Sequence, residues 1–488
     1  MTQSGEDAFA IDDQDRPRAK TALVLIHGMG EQRPMATLWD FVEAVWTDDR
    51  DMVATYNGAV YAKPDGINPL LDLRRVTTRY WSGEDPRRID FFEYYWAHLM
   101  VGNTIRGTVD WILGLFIRSP ASVPKGLRSI WLAGLCFLLL AMILFVAAAL
   151  PQSLSDLVFD RRAIVALGAV SAIASLAASR WLAPVAGDAA RYFSPDPDNV
   201  EAREKIIRGG VELIENLTRS GDYDRIIVVG HSLGSAIGLD ILDTAFGKIR
   251  PDDWAQAHQA DGRAAERLAL LEKIAGRAEG GTDEDDGGAA DHVFPLDAYR
   301  DAQRSYANAL AAGWDDRRSP WLVSDFVTLG SPLSKAHVLI SRTEHDFAKL
   351  KAKRQVPTCP PRLEQKSPPR FSFRARGGVM VPHHGALFAP TVWTNIYFPS
   401  RAFIFGDIVS GPVAPLFGPA VRDVRMPTTG WRFRHLDYWR LAGDTPPDQV
   451  RALRNAINFR ERTEAALWAQ DLPPPSVTPP PPTDTQDD

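Results

Sequence analysis

The segment Gly230-His231-Ser232-Leu233-Gly234 constrains this chain more than any other stretch. Before it stands Arg225-Ile226-Ile227-Val228-Val229, a short β-branched apolar run that reads as a strand buried on both faces. After it, Leu233, Ile237, Ile241, Leu242 and Phe246 recur at helical spacing and predict a helix over Ser235 to Lys248. A serine at the apex of so sharp a strand-to-helix turn holds its hydroxyl out as a nucleophile. Gly230 and Gly234 keep side chains away from the point where strand end and helix start converge. The GxSxG pattern alone also fits a glycine-rich turn in another α/β chain; the flanking strand and helix favour the nucleophile.

A serine hydroxyl is a weak nucleophile at neutral pH, so the turn requires a base, an acid and donors for the oxyanion elsewhere in the chain. Thr21-Ala22-Leu23-Val24-Leu25-Ile26 reads as a second buried strand, running into His27-Gly28-Met29-Gly30, a loop of HGxG type. In that arrangement the backbone N–H groups of Met29 and Leu233 point at the oxygen that becomes negative in a tetrahedral intermediate. His27 shapes the loop, because a base so early in the chain breaks the order serine, acid, histidine.

Through His27-Gly28-Met29-Gly30-Glu31-Gln32 and Gly230-His231-Ser232-Leu233-Gly234-Ser235 the chain resembles the lipase and esterase branch of the α/β-hydrolase superfamily. Phe326-Val327-Thr328-Leu329-Gly330-Ser331-Pro332-Leu333 is similar to the next parallel strand and its turn in such proteins, and Trp393-Thr394-Asn395-Ile396-Tyr397 to the strand after which the acid follows. The resemblance implies a mostly parallel central sheet with helices on both faces, Asp407 as the acid and His435 as the base. It also implies the reaction: His435 takes the Ser232 proton, Asp407 orients the imidazole, and water resolves an acyl-enzyme with no metal or organic cofactor. Reactive side chains of open parallel sheets collect at the carboxyl ends of strands, and Asp325 stands near the start of its own. His383 and His384 rival His435 as the base, but would need an acid ahead of the Trp393 strand. Asp423 and Asp437 stay open as alternatives to Asp407.

Ile130 to Leu150 is an uncharged, mostly apolar run that, at roughly 1.5 Å per residue, is long enough for the roughly 30 Å of a hydrocarbon core. Ala163 to Ser179 is a shorter run rich in alanine, glycine and serine, which suits close helix packing in lipid. With Pro151 to Arg162 between them, the two predict a transmembrane hairpin, Trp131 and Trp181 anchoring it at one interface. Lys125 and Arg128 before it and Arg180 and Arg191 after it place the flanks on the cytoplasmic side of a plasma or inner membrane, against the contrary pull of Arg161 and Arg162. Gly107 to Arg118 fits an interfacial anchor as well as a core helix. Met1 to Lys20 is polar with no apolar core, unlike a signal peptide.

At 488 residues, one elaborated catalytic domain accounts for the chain better than several independent ones. The expected order is a disordered start (1–20), a first part of the domain (21–100), the membrane insertion (101–191) and the nucleophile segment (192–250). A polar insertion (251–320) with an acidic, glycine-rich run at Ala278 to Gly288 follows, then the part completing the triad (321–470) and a disordered proline-rich tail (471–488). A net charge of -6 gives no footprint for nucleic acid. Two cysteines, Cys136 and Cys359, make no disulfide framework and fit a reducing compartment. The expected partners are therefore a lipid bilayer and an acyl-ester substrate. Thioesters and acylated proteins fit the same chemistry, and a non-catalytic membrane scaffold is the competing class. A channel fares worst, since neither apolar run carries an intramembrane charge.

Overall fold

In a computed structural model of the protein, ten strands form among the described residues. They are β1 (Ala19–Ile26), β2 (Val60–Pro64), β3 (Arg74–Thr78), β4 (Arg87–Tyr94), β5 (Arg225–His231), β6 (Val323–Leu329), β7 (Ser372–Arg374), β8 (Met380–Pro382), β9 (Val392–Tyr397) and β10 (Arg422–Arg425). The described residues are 19–28; 33–100 except 51, 54–58, 65, 68–73 and 79–86; 132; 191–279 except 194, 195 and 261; 293–312; and 319–468 except 342, 365–367, 401–404, 429–431 and 444.

β1 sends Ala22, Val24 and Ile26 into one hydrophobic core and Leu23 and Leu25 into another. A strand apolar on both faces belongs inside a sheet that is covered on both sides. β1 accordingly pairs in parallel with β4 on one side and β5 on the other. The whole sheet runs β10-β9-β6-β5-β1-β4-β3-β2, and β3 alone runs opposite to the other strands. β7 and β8 form a separate small hairpin. From β1 the chain goes to the β2 edge and works back through β3 to β4; it then crosses to β5 and proceeds outward on the other side. The crevice at the carboxyl ends of β1 and β5 is therefore the point where the winding reverses, which is where open α/β sheets bind their ligands.

Helices cover both faces. Against the first core lie α2 (Pro197–Ser220), α3 (Leu233–Gly247), α4 (Pro251–Ala260), α5 (Gly262–Glu279) and α6 (Leu296–Ala312). Against the second lie α1 (Ala36–Val42) and α8 (Asp448–Ile457), with α7 (Glu344–Ala352) and α9 (Glu464–Trp468) completing the longer helices. α2 begins with Pro197 in the first turn and stops at Gly221, whose φ of 73° ends the helix in the left-handed region. Of the apolar residues at helical spacing along it, Ile206, Val211, Ile214 and Leu217 are buried and Ile207 is half-buried. α1 is followed by a wider π-helical turn, Glu43–Thr47, which the Asp48 N–H closes on the Glu43 carbonyl at 2.9 Å. Within 251–320, the expected polar insertion, α4 and α6 bury Trp254, Tyr299 and Tyr306 in the first core.

Charged side chains gather at the amino ends of the strands. Arg225, opening β5, holds Asp325 of β6 at 2.5 Å, and Arg304 of α6 pairs with the same carboxylate. Arg300, Arg304 and Arg422 converge on the buried Glu464 and fasten α9 to α6. Removing one partner from such a buried pair costs about 3–5 kcal/mol, so this end of the sheet is structural.

Among the described residues no helix is long and apolar enough to cross a membrane. The expected spans at about 130–150 and 163–179 lie outside the described residues, apart from residue 132, as do 1–18, 280–292 and 469–488.

Candidate active site

Ser232 sits between the end of β5 and the start of α3 with φ 53° and ψ -127°, a conformation that costs about 1–3 kcal/mol outside glycine. The surroundings enforce it. The Ser232 N–H donates to the Leu329 carbonyl of β6 at 2.8 Å, and its own carbonyl accepts from the Ser235 N–H at 3.0 Å and from the Ser235 hydroxyl. A Cβ on Gly234 would lie 2.2 Å from the Ile26 carbonyl oxygen, and one on Gly28 would lie 2.9 Å from Ser232 Cβ. Gly230 faces the Ser235 backbone equally closely. Gly28, Gly230 and Gly234 thus let the ends of β1 and β5 touch, with Gly28 beside Ser232.

The three residues expected to form a triad come together. His435 Nε2 lies 2.8 Å from Ser232 Oγ, and His435 Nδ1 lies 2.9 Å from Asp407 Oδ2. A carboxylate only accepts, so Nδ1 carries the proton and Nε2 is left to accept from the serine. The acid and base loops are tied by main chain: Gly406 N–H donates to Arg432 O at 2.9 Å and Arg434 N–H to Gly406 O at 2.7 Å. Asp407 Oδ1 accepts from Val409 N–H at 2.9 Å and Ser410 N–H at 3.3 Å, so the carboxylate cannot turn away from the imidazole. Burial opposes its ionisation, yet His435, the Tyr438 hydroxyl and the Val409 N–H outweigh that and hold Asp407 below its ordinary value.

His27 and His231 take supporting positions. His27 is buried and stacked on Trp96 with ring centroids 5.1 Å apart, its Nδ1 donating to the Gly28 carbonyl at 2.8 Å. Burial drives its pKa down to about 4, so it is a neutral brace for the loop. His231, brought down to about 3 by burial and by the neighbouring His435, donates from Nε2 to the His435 carbonyl at 2.9 Å. Lys335 reaches the back of the acid loop: its Nζ donates to the carbonyls of Val409 at 2.6 Å and Ser410 at 3.2 Å. Burial lowers it to about 8, against the attraction of Asp407.

The rivals are engaged elsewhere. His383 is buried, accepts from Gly385 N–H at 3.1 Å and faces the Arg362 carbonyl; His384 is exposed. Asp423 accepts from Asn395 Nδ2 at 2.7 Å and from the Val413 and Ala414 N–H groups, fixing the segment after the acid loop. Asp437 pairs with Arg432, Arg434 and Arg440. Asp325 is bound at the opposite end of the sheet.

Of the two expected oxyanion donors, Leu233 opens α3, where an N–H has no intrahelical acceptor and the helix dipole favours negative charge. Met29 and Gly30 lie outside the described residues. Sequence reasoning missed His231, Tyr438 and Lys335 as supports. His231 alone had a signal, its place inside the nucleophile motif. Among the described residues no group of histidine, cysteine and carboxylate side chains could hold a metal ion. In comparisons with known proteins, the chain matches no family model, no curated protein and no solved structure.

Proposed function

We propose that this chain is a membrane-anchored serine hydrolase of the α/β-hydrolase fold that cleaves carboxylic esters, lipid-like ones foremost, through an acyl-enzyme on Ser232. The observation that carries the reading is the hydrogen-bonded chain from Ser232 Oγ to His435 Nε2 at 2.8 Å and from His435 Nδ1 to Asp407 at 2.9 Å. The fold assignment is supported by a parallel sheet with one antiparallel strand near its edge and by the nucleophile's place at the winding reversal.

His435 accepts the serine proton as Oγ attacks the acyl carbonyl, and Asp407 stabilises the imidazolium that results. The Leu233 N–H, with Met29 N–H as the second expected donor, receives the developing oxyanion. Protonated His435 then gives its proton to the departing alkoxide. Water attacks the acyl-enzyme by the same route, leaving a carboxylic acid and free Ser232.

An apolar substrate is supported by the base loop, where Phe433 and Leu436 on either side of His435 are 46% and 68% exposed. Apolar side chains left in water next to a catalytic group fit acyl chains better than polar substrates. The apolar run Ile130 to Leu150 supports delivery from a bilayer.

The test is to express the full chain and Ser232→Ala, separate membranes from cytosol and assay both with p-nitrophenyl esters of short and long acyl chains. Membrane-bound, Ser232-dependent turnover that rises with chain length supports the reading. Membrane-bound protein without Ser232-dependent turnover favours a scaffold, and turnover of acyl thioesters in place of oxygen esters changes the substrate class.

A further inference from the structure

Asp407 Oδ2 accepts two side-chain donors, and only one of them is His435. The Tyr438 hydroxyl lies 2.7 Å from the same oxygen, nearer than the imidazole Nδ1 at 2.9 Å. Tyr438 is buried, and its single proton must choose between the carboxylate and Ser410 Oγ at 3.2 Å; the shorter contact and the charge select Asp407. Phe398 N–H donates to the Tyr438 oxygen at 3.3 Å, which polarises the hydroxyl toward Asp407. The ring packs against the turn after β6, where a Cβ on Gly330 would come within 2.7 Å of Tyr438 Cε2. Nothing in ordinary packing requires a phenol at this place, since phenylalanine fills nearly the same volume.

We propose that Tyr438 is a positioning residue of the triad: by sharing Asp407 Oδ2 with His435 it fixes the carboxylate and limits how strongly it stabilises protonated His435. The inference rests on the hydrolase reading above. A carboxylate that accepts an additional donor is a weaker base and attracts the imidazolium less. Without the phenol, Asp407 would hold the proton on His435 more firmly, and the enzyme would need a higher pH to free its base. Among the described residues, three further charged or titratable groups near the pair have places of their own. His231 faces the His435 ring at 5.1 Å and is neutral, Lys335 lies behind the loop on the Val409 and Ser410 carbonyls, and Arg434 pairs with Asp437. None of the three is a donor to Oδ2.

The experiment is the pH dependence of kcat/KM for p-nitrophenyl butyrate with the full chain and with Tyr438→Phe, alongside the rate at which a fluorophosphonate modifies Ser232. In Tyr438→Phe the acid limb of both profiles moves up by about half a unit to one unit, and the plateau falls about threefold to tenfold. Ring-fluorinated tyrosine at position 438, a stronger donor of nearly the same shape, moves the limb the other way and keeps the inference testable should Tyr438→Phe fold poorly. Wild-type protein that reacts normally, with limbs superimposed in all variants and only the melting temperature changed, overturns the inference and leaves the hydrolase reading standing. Wild-type protein that neither hydrolyses esters nor reacts with the fluorophosphonate overturns both.

Discussion

His231 stands one residue before the nucleophile, yet its Nε2–H donates across the site to the main-chain carbonyl of His435 at 2.9 Å. That bond ties the end of β5, next to Ser232, to the loop carrying His435, and Trp439 holds the ring edge-on at 4.9 Å. His231→Ala should lower kcat about 10-fold to 100-fold with little change in KM, because a displacement of about 1 Å in a catalytic group costs about that much. His231→Gln, which can still donate at that distance, should recover part of the loss. Steady-state kinetics on one soluble ester decide it; unchanged kcat in His231→Ala would make the bond incidental.

The acid is separable from its rivals by two substitutions. Asp407→Asn keeps the shape but removes the charge opposite His435 Nδ1, and kcat should fall about 10⁴-fold without unfolding. Asp423→Asn disturbs the caps on Val413 and Ala414 and should lower stability by about 1–3 kcal/mol while leaving kcat within about threefold. Kinetics with thermal melts on both variants give the answer, and the reverse pattern would move the acid's role to Asp423.

Gly234 is held by backbone on its far side. An alanine Cβ would meet the carbonyl oxygens of Ile26 at 2.2 Å and His27 at 2.4 Å, and neither can swing aside as a side chain would. Gly234→Ala should destabilise the protein by about 1–3 kcal/mol or more and slow modification of Ser232 at least as much as turnover, because the Leu233 N–H moves with it. A melt close to wild type would show that the β1 and β5 ends are looser than their contact implies.

Acid sensitivity should carry a contribution from His383, outside the site. Burial, aided by Arg354, lowers its pKa from 6.5 to about 4 in the fold. Between those values the unfolded chain binds a proton that the folded chain does not, so this contribution is complete above pH 6.5 and is lost as pH falls toward 4. Relative to His383→Gln, the wild type should lose about 1.4 kcal/mol per pH unit within that window in urea melts. Parallel curves for the two proteins would place the ring in a wetter setting.

The strand and helix around Ser232 were legible because their patterns are local: a short β-branched run, two glycines and an apolar helical stripe. The Phe326 and Trp393 strands came from the resemblance, and they form β6 and β9. Asp407 and His435 came from resemblance, and the hydrogen bonds that join them to Ser232 follow. The edge strand β2 was not anticipated, since Val60–Pro64 is short, half exposed and ends in proline. Tyr438 and Lys335 left no pattern either, because their roles depend on bonds between loops far apart in sequence, such as Lys335 to Val409. Buried polar supports are set by tertiary packing, and periodicity carries no trace of them.

The most direct measurement is intact-protein mass spectrometry with peptide mapping after incubation with a fluorophosphonate, on the detergent-extracted full chain and on Ser232→Ala and His435→Ala. The account predicts one adduct per chain, on Ser232, formed quickly in the wild type, absent in Ser232→Ala and slowed at least 100-fold in His435→Ala. Folded wild-type protein that acquires no adduct, or acquires it on another residue, would contradict Ser232 as an activated nucleophile.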